Sequence, residues 1–134
     1  MYDEGRGVKK NYKEAFKWYQ KAAMQGDADA QCNLGYKYEY GEGVGKNMEE
    51  AFKWYHRAAM QGQTNAQFST GLMYTFGDGV SEDDVKAYMW FSLAAEAGFK
   101  PASIARFTLS ILMSSEEIEE AERMAEAWEP VYEQ

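Results

Sequence analysis

Apolar side chains return along this chain with two periods at once. Within residues 47–62, Ala51, Trp54, Tyr55, Ala58 and Ala59 fall at i, i+3, i+4, i+7 and i+8, which is one face of an α-helix. Lys53, His56, Arg57 and Gln61 fall elsewhere on that helix and read as solvated. Just before it, Ala30, Leu34 and Tyr38 recur every four residues and predict another helix, from near Asp29 to Tyr40. The longer period is 36. Gly5-Arg6-Gly7-Val8, Gly41-Glu42-Gly43-Val44 and Gly77-Asp78-Gly79-Val80 stand 36 apart, as do Ala15, Ala51 and Ala87, then Trp18, Trp54 and Trp90, then Gly26, Gly62 and Gly98. A fixed period of this length marks a stacked repeat, each unit here a helix A, a glycine turn and a helix B.

The punctuation agrees with that reading. Gly41-x-Gly43 permits the positive φ that a tight helix reversal needs, and Val44 can plug the core beneath it. Asn47 with Glu50, and Asn11 with Glu14, have the spacing of a capping box at the start of helix B; Asp83 keeps the cap, but Lys86 replaces the glutamate. Gly35 and its match Gly71 sit inside helix A, where glycine costs about 1 kcal/mol relative to alanine, so a second backbone is expected to pack closely there. A single helix pair cannot bury both faces, and small residues alternating with Trp and Tyr suit pairs stacked into one continuous core.

The units are read as about 1–26, 27–62 and 63–98, with a degenerate capping unit at 99–130. In that last unit Ala102, Arg106 and Ser110 take the places of Ala30, Leu34 and Tyr38. Ser114-Ser115-Glu116-Glu117 looks like a capped helix start. The helix it opens carries Ile118, Ala121, Met124, Ala125 and Trp128 on one face and glutamates on its flanks, with Pro130 past its end. Met1-Tyr2 aligns with Met73-Tyr74, so the chain opens in mid-repeat. We therefore expect an N-terminal helix that is largely missing, with Trp18 and Tyr19 left partly exposed at an edge open to self-association.

Charge refines this picture. Residues 115–134 contain eight glutamates and one arginine and so carry −7 of the net −8, which leaves the repeats near balance. The acidic run reads either as a solubilising cap or as a docking site for a basic partner. A balanced-to-acidic surface argues against nucleic acid, which needs clustered Lys and Arg. No stretch is long and apolar enough for a membrane span. Lone Cys32 excludes an intrachain disulfide and a thiol metal site, and favours a reducing compartment such as the cytoplasm. The mid-repeat start leaves localisation open.

The string Ala-x-x-x-Leu-Gly-x-x-Tyr-x-x-Gly-x-Gly-Val-x-x-Asn-x-x-x-Ala-x-x-Trp-Tyr-x-x-Ala-Ala-x-x-Gly, from Ala30 to Gly62, resembles the Sel-one-like repeat, a relative of the tetratricopeptide repeat. The resemblance runs from about Met1 to Gly98. It implies an all-α solenoid, an α/α superhelix of antiparallel helix pairs with a C-terminal capping helix. It also implies a non-enzymatic adaptor of protein complexes, often bacterial, whose A helices line the concave side. Thr70 departs from the family leucine seen at Leu34, and the single cysteine sets aside the disulfide-tied branch with its penicillin-binding or lactamase activity.

A recognition surface should vary on a fixed scaffold. Opposite the packing stripe, helix A offers Asn33, Tyr36, Lys37 and Tyr40. The next repeat offers Ser69, Leu72, Met73 and Phe76, and the one after it Ala105, Thr108, Leu109 and Leu112. From these, Asn33, Tyr36, Lys37, Tyr40, Ser69, Met73 and Phe76 are taken as the candidate protein- or peptide-binding set, suited to a short apolar or helical peptide. Leu72, Leu109 and Leu112 have an equally plain reading as packing under the closing helix. The alternative function is assembly through the Trp18–Tyr19 edge.

Catalytic readings fail. Gly41 to Lys46 has the composition of a phosphate loop but the wrong spacing, with Asn47 where Ser or Thr is needed, and it follows a helix rather than a strand. His56 reads as a surface residue and Cys32 as a small core residue, aligned with Phe68 and Ile104. Neither has the company of a nucleophile–base pair, and no cofactor is expected.

Overall fold

The computed structural model describes residues 11–133. The turn Gly5 to Val8 and the expected missing helix before it lie outside these residues. Seven helices follow in order: α1 (Tyr12–Met24), α2 (Ala28–Tyr40), α3 (Met48–Met60), α4 (Thr64–Phe76), α5 (Asp84–Glu96), α6 (Lys100–Ser110) and α7 (Ser115–Ala127), with no strand among the described residues. The A helices are α2, α4 and α6, and the B helices are α1, α3 and α5. Each helix packs on its predecessor up to α6, most extensively within the pairs α2–α3 and α4–α5.

Side chains start the helices as their chemistry dictates. Asn11, Asn47 and Asp83 each accept the backbone N–H three residues on, at 2.9–3.0 Å. The N–H groups of Asn47 and Asp83 donate to the Tyr38 and Tyr74 carbonyls, tying the turn to the preceding helix. They are therefore spent, and at Asn47 the reciprocal half of the capping box expected with Glu50 does not form. It forms at α7, where Ser114 and Glu117 satisfy each other's N–H groups.

The paired glycines divide their work. Gly41 and Gly77 are left-handed C-caps at φ 69°. Gly43 and Gly79, at φ 80° and 71°, bring the turn onto the first residues of the preceding B helix, where a side chain would collide with the carbonyl of Tyr12 or Met48. That is the close backbone contact expected at Gly35. At Gly35 and Gly71 the neighbour is instead a ring: Tyr55 and Phe91 lie flat against helix A, their nearest atoms 2.8 and 2.6 Å from where a Cβ would stand.

Ala51, Trp54, Tyr55, Ala58 and Ala59 are all buried, and Ala87, Trp90, Phe91 and Ala94 repeat the pattern. Lys53 is solvated as expected, but His56, Arg57 and Gln61 are not. His56 is half-buried, with its ring 5.4 Å from Phe52 and 5.8 Å from Trp90. Arg57 and Gln61 are drawn into polar contacts described below. Thr70, in the leucine place, is fully buried with its hydroxyl unpaired. A buried unpaired hydroxyl costs about 1–3 kcal/mol, so Thr70→Val should raise stability by about 1 kcal/mol in chemical denaturation. A loss of that size would show that the hydroxyl is satisfied after all.

The last unit breaks register. At the place of Gly35 and Gly71 stands Phe107, so no ring can lie against α6 as Tyr55 and Phe91 lie against α2 and α4. α7 packs on α5 instead, through Ala121 and Ala125, with Ile118, Met124 and Trp128 against the same core. Ile104 and Phe107 on α6 and Ile111 at its C-cap are left exposed.

Candidate functional site

Helix A turns its unpacked side outward, and an exposed large side chain recurs at its end in α2 and α4 and just past its end after α6. Tyr40, Phe76 and Leu112 stand 36 residues apart and are 59%, 68% and 78% exposed. Tyr36 is exposed beside Tyr40, with ring centroids 4.6 Å apart. Asn33 is exposed, with its amide donating to the Asp29 carbonyl, and Ser69 is half-buried.

Two candidates lie inward. Lys37 is buried: its ammonium donates to Glu42 at 3.3 Å and stands over the rings of Tyr12 and Tyr19. Met73 belongs to the main core, as does Leu109, whereas Leu112 is free of it. The surface set on the outward side of α2 and α4 is therefore Asn33, Tyr36, Tyr40 and Phe76, while Leu112 stands exposed two residues past α6. At the N-terminal edge Trp18 and Met24 are exposed, while Tyr19 is half-buried beneath Lys37.

The sequence reading missed a polar cluster at the junction of the first two described hairpins. Gln31, on the packed side of α2, is 0% exposed and donates to the Ala23 carbonyl at 3.1 Å. Gln61, just past α3, donates to Gly26 O and to Gln31 Oε1, both at 3.0 Å. Arg57 lays its guanidinium over the Trp54 ring at 4.5 Å. Glu133 closes the cluster, accepting from Arg57 Nη2 at 2.6 Å, Arg57 Nε at 3.1 Å and Gln31 Nε2 at 2.9 Å. The Arg57 guanidinium foremost, with a smaller contribution from the neutral Gln31 amide, holds its carboxyl below the usual carboxylate range against the opposing effect of burial. One signal was available: Gln67 repeats Gln31, and Gln25 repeats Gln61, at the period of 36. No spacing could have pointed to Arg57, whose counterparts are Lys21 and Leu93.

The remaining titratable candidates are quiet. Burial pushes the Cys32 thiol up to about 11, with Asp29 adding to it, which suits a packed side chain rather than a nucleophile. Burial, then Lys86, lowers the His56 imidazole. Among the described residues no His/Cys/Asp/Glu group would hold a metal ion, and no helix is long and apolar enough to cross a membrane.

The Sel1 repeat pattern matches residues 1–27, 28–63 and 64–99. A solved structure of a protective antigen present in uropathogenic Escherichia coli strains, displaying an SLR fold, superposes with a TM-score of 0.85 at 31% identity, over 90% of this chain and 26% of that one. A Sel1 repeat protein from Oxalobacter formigenes superposes with a TM-score of 0.73 at 44% identity, over 78% of this chain and 43% of that one. The chain thus spans less than half of either structure. No curated protein matches it.

Proposed function

The chain belongs to the Sel1 repeat family, and from that premise we propose that it is a non-enzymatic scaffold holding a protein or peptide along the outward side of its A helices. Sel1 repeats are generally scaffolds for protein–protein interaction, and all-α solenoids of this kind are their fold. The finer reading is carried by one observation: Tyr40 and Phe76, large rings one repeat apart at the ends of α2 and α4, both exposed in register, with exposed Leu112 following α6. Packing within the stack does not require these side chains, because their exposure leaves them outside the core. Aromatic side chains anchor partners at low entropic cost, and an in-register row suits a segment laid along the stack, on the side the family resemblance makes concave.

Tyr40→Ala with Phe76→Ala should leave the melting temperature within about 2 °C. Loss of two anchors should weaken a partner purified on the unaltered chain by roughly 30-fold in titration calorimetry, equivalent to about 2 kcal/mol. A partner that binds the double variant at full strength removes the row from consideration.

Exposed Trp18 and Met24 on α1 favour a second reading, assembly through that edge. The two part company in one comparison. If sedimentation shows oligomers that Trp18→Ala dissolves, and captured partners are lost with them while Tyr40 and Phe76 are dispensable, the edge is the interface.

A further inference from the structure

Past α7 the chain does something the repeat logic does not call for. Trp128 leaves the helix in extended conformation at φ −72°, ψ 137°, and Pro130 keeps the residue before it extended. The strand-like segment then runs back toward the N-terminal units. Trp128 packs edge-on against Trp90 at 6.1 Å and lies over Gly62. Val131 donates its N–H to the Met60 carbonyl at 2.8 Å, one of the four carbonyls that the end of α3 leaves unpaired. Two residues on, the Glu133 N–H donates to Gln61 Oε1 at 3.2 Å while its carboxylate enters the Arg57–Gln31 pair. Bonding through alternate residues is how an extended peptide docks on a folded surface.

We propose that Arg57, Gln31, Gln61 and the Met60 carbonyl form a binding site for an extended peptide segment bearing an acidic side chain, and that residues 129–133, tethered at the core-packed Trp128, are a displaceable strap occupying it in the manner of such a ligand. Three observations carry this.

The receptor is built by the scaffold, not by the strap. Gln67 donates to the Ala59 carbonyl just as Gln31 donates to that of Ala23, in a repeat where no carboxylate meets the glutamine. Gln31 therefore takes its orientation from the fold, and Trp54 fixes Arg57 from below.

The strap is lightly held. Glu129, Pro130, Val131 and Tyr132 are all exposed, so little apolar surface is buried between its two anchors. Its ion pair is about a third exposed on either side, where such pairs contribute about 0–1 kcal/mol, somewhat more with bidentate geometry.

Among the described residues the site does not recur in the following unit, and it has a sign. Leu93 and Ala97 stand at the places of Arg57 and Gln61 one unit on, so nothing equivalent exists there. In a chain of net charge −8 a buried-edge guanidinium fits an anionic group. The site also lies about 160° around α2 from the Tyr36–Tyr40 pair, at 3.6 residues per turn, so it does not rest on the function proposed above.

The probe is an acetylated, amidated peptide of residues 129–133, whose carboxylates are all side chains. Fluorescence anisotropy should show it binding the full chain carrying Glu133→Ala at least about tenfold more tightly than the unaltered chain, because the strap no longer competes. The same peptide with Gln in the last place should lose binding, as should Arg57→Met in the Glu133→Ala background. Equal affinity for both peptides, indifference to Arg57, or no gain from Glu133→Ala each overturns the assignment. Should Glu133→Ala prove poorly folded, NMR of the unaltered chain decides: excess peptide must move the Val131 and Glu133 amide signals toward free-peptide values, and unmoved signals refute displacement. A mass twofold too high that Glu133→Ala abolishes would mean that the strap exchanges between copies, which overturns a foreign peptide as the occupant.

Discussion

Trp54→Ala should cost about 3–5 kcal/mol, the range for emptying a buried large side chain. Trp54 is 5% exposed and fills the space between Ala23, Ala30 and Leu34, with Phe16, Tyr19 and Tyr38 around them. Its indole Nε1 is buried without a partner, so removing it recovers part of a desolvation penalty and places the loss at the lower end of that range. Thermal melting should fall by roughly 10 °C. Lys53, one residue earlier and exposed, should lose less than about 0.5 kcal/mol on change to alanine. Equal losses would mean that α3 is rotated from its observed face. The damage should also be uneven. Neighbouring units share stability in a stacked array, so hydrogen exchange should accelerate in α1 to α3 before α5 and α7. Arg57 loses its platform in the same variant, so the Glu133 contact should weaken with it.

Gly79→Ala is the second large effect. Its φ of 71° costs an L-residue about 1–2 kcal/mol, and the new Cβ would strike the Met48 carbonyl, which belongs to helix backbone and cannot rotate aside. Together with overpacking of about 1–3 kcal/mol the loss should approach 3 kcal/mol in urea unfolding. Gly45 is the internal control. It belongs to the same class of turn but has nothing within 4 Å of its Cβ position, and its φ lies outside the left-handed region, so Gly45→Ala should be neutral or stabilise by about 0.5 kcal/mol. If Gly79→Ala proved as mild as Gly45→Ala, the turn would not rest on α3 as described.

Period and helix faces made most of the architecture readable beforehand. Ala, Trp and Tyr at fixed offsets define the buried side of α3 whatever surrounds it, and the C-cap role of Gly41 follows from its place after a helix. What escaped depends on which neighbour arrives. Gly35 signals close approach without saying whether a backbone or the Tyr55 ring approaches, and Gly43 gives no sign that Tyr12 lies under it. His56, Arg57 and Gln61 sit off the apolar stripe of their own helix, and a helical wheel assigns such positions to solvent. Trp90 and Glu133, 34 and 76 residues away from His56 and Arg57, cover them instead. On the recognition side, Tyr36, Tyr40 and Phe76 face outward as their place opposite the packing stripe suggests, whereas Lys37 and Met73 are drawn in from the flank of that stripe.

Phe107 has a practical corollary for anyone building longer arrays from this chain. Extra 36-residue cassettes grafted upstream of Gly98 would meet glycine at every ring-docking place and should elongate the spine without strain. The same cassette appended after Ser110 would find a benzyl group where its own aromatic ring must dock, so elongation from that end needs Phe107→Gly first.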